Sequence, residues 1–167
     1  MKIEVKNVKF VEALSEETYC FTASIRVDGK KVGEASNRGQ GGQTDLMYND
    51  GYPHKSATHK AIKEYCETLP PMQSDMEVIT LEDGEEIDRS WTMEYDPYIL
   101  IDELIDKEYH HQQDKKLCRG KTAFRMPNYE YESKYEYHIS KHKYTPAVKA
   151  ELIKRYGEEV YILNDHI

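Results

Sequence analysis

Apolar and polar residues alternate along the first 37 positions, the period of strands with one buried face. In KIEVKNVKFV the apolar positions Ile3, Val8 and Phe10 predict a strand whose phase slips once. TYCFTASIRV follows, with Tyr19, Phe21, Ala23, Ile25 and Val27 on one face. Asp28-Gly29 then predicts a tight hairpin, because both central residues of a type I′ turn need positive φ. KKVGEASN continues as a third strand. Residues 2–37 therefore predict a three-stranded antiparallel meander. The stretch after it, running through EASNRGQGGQTDLMYNDGY, has three close glycines and predicts a long loop leading to a helix.

The period changes after Pro53. Ser56 can cap a helix on which Ala57, Ala61, Ile62, Tyr65, Cys66 and Leu69 form an apolar stripe. Pro70-Pro71 end it, since neither has an N–H to continue the ladder. Residues 72–95 are ambiguous: MEVITL fits a strand, EDGEEID a turn, and the whole stretch suits a flexible insertion. Asp96-Pro97 is a cap followed by proline at the first helical position. Ile99, Leu100, Leu104, Ile105 and Tyr109 carry that second helix to about residue 113. The remainder predicts strand, strand, helix, strand. KTAFRM is the first strand. YEYESKYEYHIS is the second, with Tyr129, Tyr131, Tyr135 and Tyr137 on one side and charges on the other. Thr145-Pro146 caps a helix bearing Val148, Leu152, Ile153 and Tyr156, Gly157 closes it, and VYIL is the last strand. The fold class expected is α+β: a meander, two helices, then a ββαβ part, in one domain of 167 residues.

Composition changes this picture little, and charge changes it more. A chain of this length buries roughly 70% of its unfolded surface, so it needs no disulfide or metal staple. Cys20, Cys66 and Cys118 are an odd number without a CxxC spacing, and predict reduced thiols in a cytoplasmic protein. MKIEVKNVKF lacks the apolar run of a signal peptide, and no stretch of about 18 apolar residues predicts a membrane span. Net charge is -8, unevenly placed. Residues 75–108 hold 13 acidic side chains against two basic ones, and residues 115–156 hold 11 basic against four acidic. Two solvated faces are the simple reading, and a charged partner for one of them is the sharper one.

Candidate chemistry is sparse. Arg38, Gly39, Gln40, Gly41 and Gly42 could present successive amides to an anion, but neither GxxxxGK[ST] nor GxGxxG opens directly onto a helix here. This stretch, with Tyr48, is a candidate recognition loop rather than a phosphate cradle. The seven histidines have no acidic or cysteine companion at zinc spacing, so no metal site is expected, and no cofactor motif occurs. His54-Lys55-Ser56 and His138-Ile139-Ser140 repeat the H-x-S triplet of two-histidine phosphoesterases, in which one imidazole activates the nucleophile and the other protonates the leaving oxygen. That chemistry needs both triplets on neighbouring strands, and His54 sits at a helix start. Lys121, Arg125, Lys141 and Lys143, near several tyrosines, could contact nucleic-acid phosphates and bases.

Ser15-Glu16-Glu17-Thr18 with Phe21, Asp28-Gly29-Lys30 and Gly39-x-Gly41-Gly42 resemble small accessory proteins of bacteriophages and other mobile elements. So do Lys121-Thr122, Phe124-Arg125, Tyr144-Thr145-Pro146 and Lys154-Arg155-Tyr156-Gly157 near the other end. The family supplies no catalytic residue to carry over. The resemblance implies a setting inside a bacterial host, where countering defence systems such as CRISPR or restriction is a common task. The function expected is therefore stoichiometric binding to a host protein, such as a defence nuclease complex. The alternatives are nucleic-acid binding through the basic C-terminal part, and phosphoester hydrolysis using His54 and His138.

Overall fold

The computed structural model describes residues 1–73, 79–80, 86–87, 90–127, 129–130 and 136–167. Among them the chain forms three α-helices and antiparallel sheets, an α+β arrangement. It divides into two compact units, Met1–Asp106 and Lys107–Ile167.

The first unit is built on a sheet of four strands rather than three. They are β1 (Ile3–Phe10), β2 (Cys20–Val27), β3 (Lys30–Arg38) and β4 (Asp45–Tyr48), in that spatial order. Asp28 and Gly29 both have positive φ, 47° and 81°, as the hairpin between β2 and β3 requires. The phase slip in β1 is a bulge between Lys6 and Lys9, where Asn7 takes φ 55°. β4 corrects the long-loop reading of the glycine stretch. The connection from β3 is only residues 39–44, and the chain then returns antiparallel to β3, pairing Asp45 with Ser36 and Tyr48 with Gly33.

One face of this sheet is the core. Phe21, Ala23, Ile25, Ala35, Leu46 and Tyr48 pack against Ile62 and Cys66 of α1 (Ala57–Cys66) and Leu100, Ile101 and Ile105 of α2 (Pro97–Leu117). Both helices start where their caps predict. Ser56 Oγ accepts from His59 N at 3.0 Å, and Asp96 Oδ1 accepts from the amides of Tyr98 and Ile99, each at 2.8 Å. α2 runs to Leu117, four residues past the expected end, with Lys115 and Lys116 at its negative dipole end. Within the ambiguous stretch, β5 (Met72–Gln73) pairs with β8 (Thr92–Met93), and β6 (Ile79–Thr80) with β7 (Glu86–Ile87). Half of the expected insertion at 72–95 lies outside the described residues.

In the second unit β9 (Thr122–Arg125) is central, flanked by β10 (His138–Ser140) and β11 (Tyr161–Ile162). Phe124, Leu152, Val160 and Ile162 form its main cluster, with Leu152 supplied by α3 (Pro146–Tyr156). Thr145 caps α3 and Gly157, at φ 88°, ends it. Of the strand expected over residues 129–140, His138–Ser140 is β10 among the described residues. Tyr129 and Tyr137 precede it outside any strand, while Tyr131 and Tyr135 lie outside the described residues.

Candidate functional site

The glycine turn is braced from inside. Asn37, at the end of β3, is nearly buried, and its side chain makes three hydrogen bonds. Its Oδ1 accepts from Thr18 Oγ1 and from Gly39 N, each at 2.9 Å, and its Nδ2 donates to the Gly42 carbonyl at 3.2 Å. The Gly39 carbonyl in turn accepts from the amides of Glu16, Glu17 and Thr18 at 2.8, 3.1 and 3.4 Å. Two stretches singled out separately in the sequence, Ser15–Thr18 and Gly39–Gly42, are thus hydrogen-bonded to each other. The consequence for the anion-nest reading is direct: the Gly39 N–H is engaged by Asn37. Arg38 and Gln40 are exposed on either side of it. Tyr48, a candidate contact residue, is 3% exposed and belongs to the core instead.

The other face of the sheet is polar and open. The pairing aligns Lys9, Thr22, Ser36 and Asp45 in one row across the four strands, and Ser24, Glu34 and Met47 in the next. These rows floor a trough of about 860 Å³ that continues past β4 to Tyr52, Pro53 and Tyr98. Sequence reasoning missed it because its residues are ordinary outward-facing strand positions, and because β4 itself was read as loop. At the same end, Thr44 is buried and donates to Asp102 at 2.5 Å, tying the turn to α2.

Beneath β4, His59 packs between two tyrosines. Its Nδ1 lies 3.3 Å from Tyr48 Oη, and the Tyr48 and Tyr98 rings are 5.4 and 5.9 Å away. Burial holds the imidazole below its ordinary pKa of 6.5, Lys63 adds to this, and Asp96 works against it. The native state therefore favours neutral His59 more than the unfolded chain does. The resulting stability is complete above the unfolded value and is lost as pH falls through 6.5 toward the lower folded value. Urea midpoints at about pH 7.5 and about pH 5 are expected to differ more for the native sequence than for His59→Gln.

His54 lies in a 3-10 turn, Pro53–Lys55, its ring stacked 6.2 Å from Tyr52. It is on no strand, contrary to what two-histidine chemistry needs. His138 is in β10, with Phe124 and Tyr129 rings at 5.7 and 5.0 Å. In the second unit Lys121 precedes β9 and Arg125 ends it, and Lys141 and Lys143 follow β10. Tyr161, opposite Arg125, stacks on His166 at 4.6 Å and 2°, and on Tyr137 at 6.5 Å.

Among the described residues no group of three or more His, Cys, Asp or Glu could hold a metal ion, and no helix is long and apolar enough to cross a membrane. All three cysteines are free thiols. No family model, curated protein or solved structure matches the chain.

Proposed function

We propose that this protein acts by stoichiometric binding to a host protein, as an accessory protein of a phage or mobile element, and that the surface it occupies is basic. A nucleic-acid-binding face of a bacterial defence nuclease, of CRISPR or restriction type, fits that description. The observation that carries the reading is the first unit's combination of charge and shape. Met1–Asp106 holds 22 acidic side chains against 11 basic ones and presents an open polar trough. An acidic surface attracts a basic partner over a Debye length and speeds its encounter. The expected result is a complex of fixed stoichiometry, captured from a bacterial host and rebuilt from purified parts, that suppresses the partner's nuclease activity. Its association rate should fall at least about tenfold between about 50 mM and about 500 mM salt. Recovery of no partner, together with turnover of a substrate, would refute it.

A second reading is favoured by the second unit. There 12 basic side chains face nine acidic ones, and the Tyr137–Tyr161–His166 stack stands beside Arg125. Basic side chains beside stacked rings suit single-stranded nucleic acid. It predicts retardation of a labelled oligonucleotide at low salt that disappears steeply as salt rises, and weakens in Lys121→Ala/Lys141→Ala/Lys143→Ala. A flat titration at low salt removes this reading.

A further inference from the structure

The open face of the first unit's sheet carries polar side chains that the fold leaves unengaged. Lys9, Thr22, Ser36 and Asp45 stand side by side across β1–β4. Lys9, Thr22 and Asp45 are exposed, and Ser36 is half-buried. Among the described residues none of these four side chains makes a hydrogen bond or an ion pair. The row is mixed in chemistry: an ammonium at one end, a carboxylate at the other, and two hydroxyls between them, which both donate and accept. Neighbouring strands lie about 4.8 Å apart, so the row spreads these groups over roughly 14 Å. Past β4 the trough reaches Tyr52, which is 61% exposed. Its ring is stacked on His54 at 6.2 Å and 15°. The stack braces one face of the ring, and the high exposure leaves the other to solvent.

We propose that this row, ending on Tyr52, is a binding site for a neutral linear oligosaccharide. The inference goes beyond host-protein binding and does not depend on it. Sugar hydroxyls donate and accept at once, so they are met by a mixed array of this kind rather than by groups of one sign. The strand spacing is close to the repeat of a linear pyranose chain, so successive rings lying across the strands meet successive members of the row. The apolar C–H face of a pyranose packs on an aromatic ring, and Tyr52 offers one at the end of the trough. Charge favours a neutral ligand. Glu34, which also lines the trough, is already paired with Lys31 at 2.7 Å, so Lys9 and Asp45 balance each other along the row. A nucleic-acid strand calls for several cations along its phosphates, and this row has one, with a carboxylate at its far end. A protein hot spot calls for aromatic or Arg anchors in desolvated pockets, and the row holds hydroxyls instead.

The test is titration of the full-length, isotope-labelled protein with cellotetraose, maltotetraose and chitotetraose, read by amide chemical shifts. Solvent-facing hydrogen bonds exchange with water at small net gain, so saturation is expected by about 10 mM of at least one probe. The shifts should gather on Thr22, Ser36, Asp45 and Tyr52. Asp45→Ala and Tyr52→Ala should each weaken binding at least about fivefold. Unmoved amide signals of the core residues Ile25 and Ile101 show that each variant is folded. Saturation by none of the three probes overturns the proposal. So does saturation whose shifts fall elsewhere, or that both substitutions leave unchanged. A single-stranded oligonucleotide that saturates the row while the glycans are silent also overturns it, and assigns the face to phosphate. If a host complex forms while the glycans fail, this proposal falls and the proposed function stands. If the glycans bind and no host complex forms, the site stands alone.

Discussion

Gly39→Ala is expected to destabilise the first unit by about 3–5 kcal/mol, read as a lower urea midpoint with an unchanged slope. Two effects add. Gly39 has φ +85°, a conformation that costs an L-residue about 1 kcal/mol even in open space. Its added Cβ would stand 2.1 Å from the Leu14 carbonyl oxygen and 2.9 Å from Cys20 Cβ. The first of these is backbone, so it cannot swing aside. Moving it would pull on the turn whose amides bond to the Gly39 carbonyl. Gly42→Ala is the control within the same turn. Its φ is +94° but nothing lies within 4 Å of the added carbon, so about 1 kcal/mol is expected. Equal losses at the two positions would show that the packing of Gly39 against residue 14 is not what holds this turn.

The second large effect is at Asn37. Asn37→Ala removes three hydrogen bonds and strands the Gly39 N–H inside the turn. A net loss of about 2–4 kcal/mol follows, at roughly 1 kcal/mol per bond plus the cost of an unsatisfied buried donor. Amide exchange at Gly39 should accelerate with it. Asn37→Asp keeps the two acceptor bonds, from Thr18 and Gly39, and loses only the donation to Gly42. It should therefore sit between the native protein and the alanine variant. The double variant with Thr18→Ala should lose less than the sum of the single losses, because both remove the same bond.

Much of the architecture was legible because local signals agreed with one another. Phe21, Ala23 and Ile25 share a face in period two, Asp28-Gly29 demands positive φ twice, and Ser56, Asp96 and Thr145 each cap the helix that follows. β4 was not legible. Asp45–Tyr48 is four residues long, follows three glycines, and shows only two apolar positions on its inner face. What makes it a strand is the register with Ser36 and Gly33, a contact that no local pattern announces. Missing β4 carried two errors with it. Without β4, Tyr48 reads as a surface contact although it packs in the core, and the glycine run reads as a long loop although it is a short turn. Of the alternating stretch 129–140, His138–Ser140 pairs with β9 among the described residues, while Tyr131 and Tyr135 lie outside them.

Asn37 was visible only as one polar residue before the glycines. Its importance comes from Thr18, 19 positions earlier, which the fold brings within reach. The charge asymmetry was legible from counting alone. The boundary between the units, inside α2, was not, since nothing in the composition changes where the helix continues.

The bulge at Asn7 bears on how concentrated this protein can become in a cell. A sheet with two serviceable margins can polymerise, each copy seeding the next into a fibril. Here one margin is kinked and lined with ammonium groups, so any growth at the other must stop after a single step. Straightening β1 by deleting Asn7 would give this molecule the second sticky end that filaments require.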